Sequence, residues 1–280
     1  MSFIALVYSL VDPASVGIAR ELRYLLQCRE VEHVGRVREA YVCSDGAAKL
    51  VAFEDDVIYL DYLDTELPRA SRYLVLSRHS SASRIPILSV HTPGNPGPSA
   101  PYGGRPWELP PSDPLLGWLL IRELRRAVDE RGMSDRYDVV YESTHHGPSS
   151  ISKPITFVEI GSDEERWRDA EAHRAVAIAV AAALEKLPAS SCTPAVGFGG
   201  PHYQSVFTRR ALETDLCFGH MISKNVLREL SNEDDLRRAA TLAIERTPGA
   251  RVAILEKMRA SVRRPIEEVA RSLGLSVARS

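Results

Sequence analysis

Along the chain, apolar positions gather into short runs parted by turn residues, with longer stretches between them in which apolar side chains recur at helical spacing. The run over residues 3–9 reads as a buried strand. Asp12-Pro13 then opens a helix through about residue 27, with Asp12 as cap and Pro13 in the first helical position, where its missing N–H costs nothing. Residues 40–43, 50–53 and 57–60 predict three small strands, because Ser44-Asp45-Gly46 and Glu54-Asp55-Asp56 between them are turn chemistry. Two more strands are predicted over residues 73–76 and 87–90, and soon after each comes a histidine, His79 or His91.

Residues 92–113 carry Pro93, Pro96, Pro98, Pro101, Pro106, Pro110 and Pro111 with Gly94, Gly97, Gly103 and Gly104, so neither helix nor central strand persists there. A loop of that length inside a compact domain serves as a lid or binding element, or else as a plain linker. Residues 114–131 hold Leu115, Leu116, Leu119, Leu120, Leu124 and Val128 at helical spacing. Strands follow over 138–141 and 155–160, the first running into Tyr141-Glu142-Ser143-Thr144-His145-His146-Gly147-Pro148. One long Ala-rich helix is predicted over 163–187. A strand over 194–198 leads into Gly199-Gly200-Pro201-His202-Tyr203, and another over 215–218 into a Gly219-His220 turn. Helices near 224–230 and 232–245, a strand over 251–255 and a helix over 265–273 complete the pattern. The alternation predicts an α/β fold, a three-layer sandwich around a mixed β-sheet, in a single domain over residues 1–280.

Composition narrows the function classes. With 280 residues, 44% of them hydrophobic and 26% charged, the chain has an ordinary globular make-up with room for a full core. A formal net charge of -2 excludes the overall basic field of a nonspecific nucleic-acid binder, so any RNA contact must be a local patch. The longest apolar run, residues 175–184, is far short of the roughly 20 residues a membrane span needs, and residues 1–10 read as a strand and not a leader. Cys28, Cys43, Cys192 and Cys217 stand far apart with no CxxC pair, which predicts neither a disulfide framework nor a thiolate zinc site and fits a reducing, cytoplasmic setting.

Candidate chemistry lies with histidine. His79, His91, His145, His146 and His202 sit just beyond predicted strand ends, where open α/β sheets form their ligand crevice, and His220 sits in a comparable turn. His33 and His173 fall in a polar turn and on a helix, and read as solvated or packed side chains. Clustered imidazoles with Glu142 and Glu159 nearby have the make-up of a hydrolytic metal site, although the pattern is not HExxH and two adjacent loop histidines reach one ion only through a turn. The same residues admit a metal-free reading, with histidine as general base and backbone amides of Gly199, Gly200 and around Gly147 as oxyanion donors. No GxSxG elbow supports a serine nucleophile.

In order, Ser77-Arg78-His79-Ser80, Val90-His91-Thr92-Pro93-Gly94-Asn95, Glu142-Ser143-Thr144-His145-His146-Gly147-Pro148, Val158-Glu159-Ile160-Gly161-Ser162, Gly199-Gly200-Pro201-His202-Tyr203 and Gly219-His220-Met221-Ile222-Ser223-Lys224 resemble the motifs of the archaeal and plant D-aminoacyl-tRNA deacylases, over residues 3 to about 255. The resemblance implies hydrolysis of the ester between a D-amino acid, D-tyrosine among them, and the terminal ribose of tRNA. It also implies two zinc ions, a monomer, and a fold related to peptidyl-tRNA hydrolase and nucleoside phosphorylase. On that footing His145, His146, Glu142 and Thr144 are expected to be catalytic. His79, His145, His146, His202 and Glu159 are expected as metal ligands, and Arg78, His91, Lys153, Gly199, Gly200, Tyr203, His220 and Lys224 as substrate-binding residues. The rivals from other classes are a nonenzymatic tRNA-binding module and a nucleoside phosphorylase or nucleosidase.

Overall fold

The first strand and helix form where the sequence placed them. β1 (Phe3–Ser9) is almost wholly buried, and Asp12 Oδ1 accepts hydrogen bonds from the Ala14 and Ser15 amides at the start of α1 (Pro13–Leu25). The structure, a computed structural model, describes residues 2–230 and 232–280. The further elements are β2 (Arg29–Glu30), β3 (Glu39–Cys43), β4 (Ala48–Phe53), α2 (Leu63–Glu66), β5 (Ala70–Ser80), β6 (Ile87–His91), α3 (Pro114–Glu130), β7 (Asp138–Tyr141) and β8 (Ile155–Ser162). After these come α4 (Glu164–Trp167), α5 (Ala170–Lys186), β9 (Thr193–Phe198), α6 (Ser205–Glu213), β10 (Leu216–Ile222), α7 (Lys224–Glu229), α8 (Glu233–Glu245), β11 (Val252–Leu255), α9 (Ala260–Ser272) and β12 (Ser276–Arg279).

The main sheet is mixed, in the order β2-β3-β4-β1-β5-β8-β6-β7. Its centre, β4-β1-β5-β8, is parallel, whereas β6 runs antiparallel to β8 and β7 then runs parallel to β6. A second sheet, which the sequence did not foresee, is wholly parallel in the order β10-β9-β11-β12. Helices α1, α3 and α5 cover one face of the main sheet, where Leu74, Leu76, Val158 and Ile160 pack with Leu120, Leu124, Val176 and Val180. The other face buries Tyr73, Val75, Ile155 and Phe157 under Val57, Leu60 and Leu63. The smaller sheet lies between α3 with α6 on one side and α8 with α9 on the other.

Some local expectations change. Residues 57–60 do not make a strand but a tight 3-10 turn over Val57–Tyr59. The long helix expected over 163–187 is two helices, because Asp169 leaves the helical path and caps α5 by accepting from the Glu171 amide. His220 lies inside β10 and not in a turn. Helix α9 begins at Ala260 and carries Pro265 within it.

The cysteine expectation is overturned. Cys28 is bonded to Cys43 and Cys192 to Cys217. Strand pairing explains both: Arg29 stands opposite Val42 and Thr193 opposite Leu216, which brings each pair of cysteines alongside one another across neighbouring segments. No helix among the described residues is long and apolar enough to cross a membrane.

Candidate functional site

Side chains alternate along a strand, so the residues that continue the Tyr73-Val75 face of β5 are Ser77 and His79, and those that continue Phe157 on β8 are Glu159 and Gly161. Register fixes their heights: Ser77 pairs with Glu159 and His79 with Gly161. A Cβ at Gly161 would stand 2.9 Å from His79 Cβ and Cδ2, so the glycine leaves the space that the imidazole occupies. Antiparallel β6 arrives from the other direction and sets His91 opposite Phe157. His79 and His91 thus flank Glu159 from opposite ends of β8.

The loop after β7 supplies the remaining groups. It is pinned on both sides, since the Ser143 amide donates to His202 O (2.9 Å) and the Thr144 amide to Met221 O (2.8 Å). His146 has a φ of 46°, in the left-handed region, and this is the turn that lets two adjacent histidines face one cavity, with ring centroids 4.3 Å apart. His145 Nδ1 donates to Ser143 O (2.8 Å) and His146 Nδ1 to Gly147 O (2.6 Å). Each carbonyl fixes the tautomer, leaving the Nε2 lone pairs to face inward, as the carbonyl acceptors behind metal-binding histidines do.

Glu142 is fully buried at the centre. Its Oε2 accepts from His202 Nε2 at 2.7 Å and His79 Nδ1 at 3.1 Å, with His145 Nε2 at 3.7 Å. Glu159 Oε2 lies 3.4 Å from His79 Nδ1, and its Oε1 4.0 Å from His146 Nε2. His91 Nε2 and His146 Nε2 are 3.2 Å apart. Burial disfavours charge on His79, but its bonds to Glu142 and Glu159 outweigh this and push it up to about 11. Burial also opposes charge on Glu142, yet the hydrogen bonds from His202 and His79 hold its carboxyl well below the usual range. Glu159 goes the other way: burial, aided by the Glu142 charge, pushes it up to about 7. Burial lowers His146 to about 4, and burial with neighbouring imidazoles holds His91 and His145 well below their ordinary values. Near neutral pH the centre therefore offers uncharged imidazoles at His91, His145 and His146 beside the charged His79, the Glu142 carboxylate and a Glu159 carboxyl close to its titration point.

The donor set fits a metal ion. Ligand atoms of His79, Glu142, His145 and His202, of His91, His145 and His146, and of His91, Glu142 and Glu159 all lie within 4.8 Å of one another inside each group. Glu142 Oε1 is buried with no hydrogen-bond partner, and a buried carboxylate oxygen without a donor is costly unless a cation takes its lone pairs. The His91–His146 spacing is also close to what two nitrogens each about 2.0 Å from one tetrahedral ion require.

A cavity of about 440 Å³ opens over this centre, bounded by Asp56, Ile58, Arg78, Ser80 and Tyr102. A smaller one of about 190 Å³ lies beside it, between the residue 94–102 loop, His145, His146 and α7. Arg78 is held by Asp56 at the rim, and Tyr203 gives its hydroxyl to the His79 Nε2 contact at 3.0 Å. Asp56 and the carbonyls of Ser143 and Gly147 escaped the sequence reading. Asp56 sat in a run that read only as turn chemistry, and carbonyl orientation leaves no mark in side-chain identity.

Other expected residues lie elsewhere. Thr144 is buried, its hydroxyl lodged between His220 Nδ1 (3.0 Å) and the Met221 amide (3.2 Å), while His220 Nε2 donates to Pro110 O (2.9 Å). That pair ties the histidine loop to β10. Lys153 Nζ donates to Leu67 O and Pro68 O, each at 3.0 Å, away from the centre. Gly199 and Gly200, with φ of 106° and 71°, shape the turn that leads to His202, and Lys224 is exposed at the start of α7. The amide of Gly147 already donates to Tyr102 O and that of Gly199 to Ile222 O, so neither is a free oxyanion donor.

Fold and site together define an α/β protein with a histidine- and glutamate-lined centre able to hold a metal ion in a cavity open to solvent. A model of the D-aminoacyl-tRNA deacylase family matches residues 67–278. The D-aminoacyl-tRNA deacylase of Staphylothermus marinus is 43% identical over 235 residues, which cover 83% of this chain and 84% of that protein, and that of Aeropyrum pernix is 38% identical over 280 residues, 98% of each. The crystal structure of AF0625, a conserved protein of unknown function, superposes with a TM-score of 0.87 at 31% identity, covering 99% of this chain and 95% of that one. The chain belongs to the D-aminoacyl-tRNA deacylase family.

Proposed function

We propose that this protein is a zinc-dependent deacylase, which hydrolyses the ester between a D-amino acid and the terminal ribose of tRNA and releases free D-amino acid and tRNA. The observation that carries the reading is the pair His145 and His146, whose tautomers are fixed by backbone carbonyls so that both Nε2 lone pairs face a cavity beside two buried carboxylates. Membership of the family agrees with it. The substrate, D-tyrosyl-tRNA among others, is cytoplasmic, and the protein acts on it as a monomer.

His79, Glu142 and His202 would hold one zinc ion and His91, His145 and His146 a second, since His145 can serve only one of the two groups it belongs to and three protein ligands apiece suit a catalytic zinc. When bound, zinc supplies Lewis acidity toward the ester carbonyl and makes water more acidic. Glu159 lies outside both triads, and a carboxyl pushed up to about 7 is matched to proton transfer near neutral pH. Its Oε1 takes the proton of the attacking water and returns it to the departing ribose oxygen. His79 stands between the two glutamates, 3.4 Å from Glu159 Oε2, and Tyr203 fixes the far side of its ring. Arg78, held by Asp56, stands at the rim where phosphate enters.

The test is release of D-tyrosine from D-tyrosyl-tRNA by the purified protein, its loss in His146→Ala that still melts cooperatively, and its loss and recovery on chelation and zinc return. No release from any D-aminoacyl-tRNA would end the deacylase reading; full activity after chelation would end the zinc part alone.

A further inference from the structure

Beyond the catalytic cavity, α7 separates the space beside His145 and His146 from a groove of about 730 Å³ on its far side. Leu230 lines both spaces, and Tyr102 with His145 and His146 lines both the smaller cavity and the catalytic one, so the three spaces follow one another with shared walls from the groove to the histidines. Lys224, Arg228, Lys257 and Arg259 line the groove. All four are exposed, and none forms an ion pair or a side-chain hydrogen bond among the described residues. The nearest acids turn elsewhere: Glu229 lines the smaller cavity, and Glu256 Oε2 lies 2.5 Å from where a Gly200 Cβ would be. In a chain with 35 basic and 37 acidic residues, four unpaired cations in one groove are a local field of the opposite sign to the whole.

We propose that this groove binds the phosphates of the single-stranded acceptor end of tRNA, and that the strand passes over Leu230 and Tyr102 to bring its terminal ribose ester to the histidines. Unpaired cations along a groove that tracks a backbone, followed by an exposed aromatic ring on which a base can stack, are what single-stranded nucleic acid requires. Tyr102 is 66% exposed and stands where the path meets the catalytic cavity. Positioning and chemistry are thereby divided between two parts of the fold: α7 with the β11–α9 turn grips the polyanion, and the main sheet treats the ester. The inference rests on the deacylase reading for the identity of its ligand.

The experiment compares the wild type with the triple variant Arg228→Ala, Lys257→Ala, Arg259→Ala on D-tyrosyl-tRNA and on 3′-O-D-tyrosyl-adenosine, an ester without phosphates, together with binding of uncharged tRNA across salt concentrations. Each lost single-strand phosphate contact removes about 0.7 from the slope of log affinity against log salt, so the variant's slope should be shallower by about 2. Its KM for the tRNA substrate should rise on the order of tenfold or more at low salt, with the adenosine ester cleaved equally by both proteins. An unchanged salt slope and an unchanged KM for D-tyrosyl-tRNA would overturn the groove while leaving the deacylase reading intact. Conversely, a wild type that binds tRNA with the steeper slope but cleaves neither ester would support the groove and refute the deacylase reading.

Discussion

Replacing Glu142 by Gln changes one oxygen to an amide nitrogen and removes the negative charge from the middle of the site, with almost no change of shape. Glu142 Oε2 receives two hydrogen bonds from imidazole, 2.7 Å from His202 and 3.1 Å from His79. Bonds to an ionised acceptor are worth about 1.5–3 kcal/mol and neutral ones about 0.5–1.5, so weakening both costs about 2–3 kcal/mol. That is roughly 30- to 150-fold in a rate or a metal affinity. The amide also places a donor where the partnerless Oε1 now lies, the position a cation would use. Single-turnover release of D-tyrosine, zinc content by elemental analysis and a thermal melt should be measured on the same preparation. The expected outcome is a folded variant with bound zinc and turnover both lowered by about two orders of magnitude. A Gln variant that keeps its zinc and turns over within about threefold of the wild type would show that the central carboxylate is not the organising charge, and the reasoning from Oε2 would fall.

Two other predictions concern stability. Burial lowers His220 to about 4, below its unfolded value near 6.5, so the stability from keeping it neutral is complete above pH 6.5 and is lost as pH falls from there through 4. At pH 4.5 the wild type should have lost about 2–3 kcal/mol more than His220→Asn in urea unfolding, and equal losses in the two proteins would refute the assignment. The Cys192–Cys217 disulfide closes a segment with a sequence separation of 25. Reductant should therefore lower the unfolding free energy of Cys28→Ala/Cys43→Ala, in which only this bond remains, by about 3 kcal/mol, and should do nothing once Cys192→Ser is added; an unaffected double variant would mean that the bond is absent in solution.

Much of the frame was legible where local chemistry decides the outcome. Asp12-Pro13 could only open a helix, the proline-rich stretch after His91 could only be a loop, and the apolar runs gave most strands of the main sheet. The failures share a cause. Residues 77–80 are polar and looked like the end of a strand, yet β5 continues through Ser80 because β8 pairs with it residue for residue from Ser77 to Ser80, and this polar extension is what carries His79. Asp169 is one residue among helix formers, and only its side-chain bond to the Glu171 amide reveals the break. The cysteine pairs are fixed by strand neighbourhood, which spacing along the chain does not encode. The histidines were visible as residues just past strand ends, but their convergence depends on the order β5-β8-β6, and before the structure only the likeness to a family pointed to it.

The reversal of β6 ties folding to chemistry at one place. His91 faces Glu159 only while Ile87 sits opposite Gly161 and His91 opposite Phe157. A slip of one residue would turn the imidazole toward the helices on the far side of the sheet and bring Val90 into the ligand position. A variant with altered pairing there could keep every strand and still lose a ligand, so selection on activity also acts as selection on the alignment of a single five-residue segment.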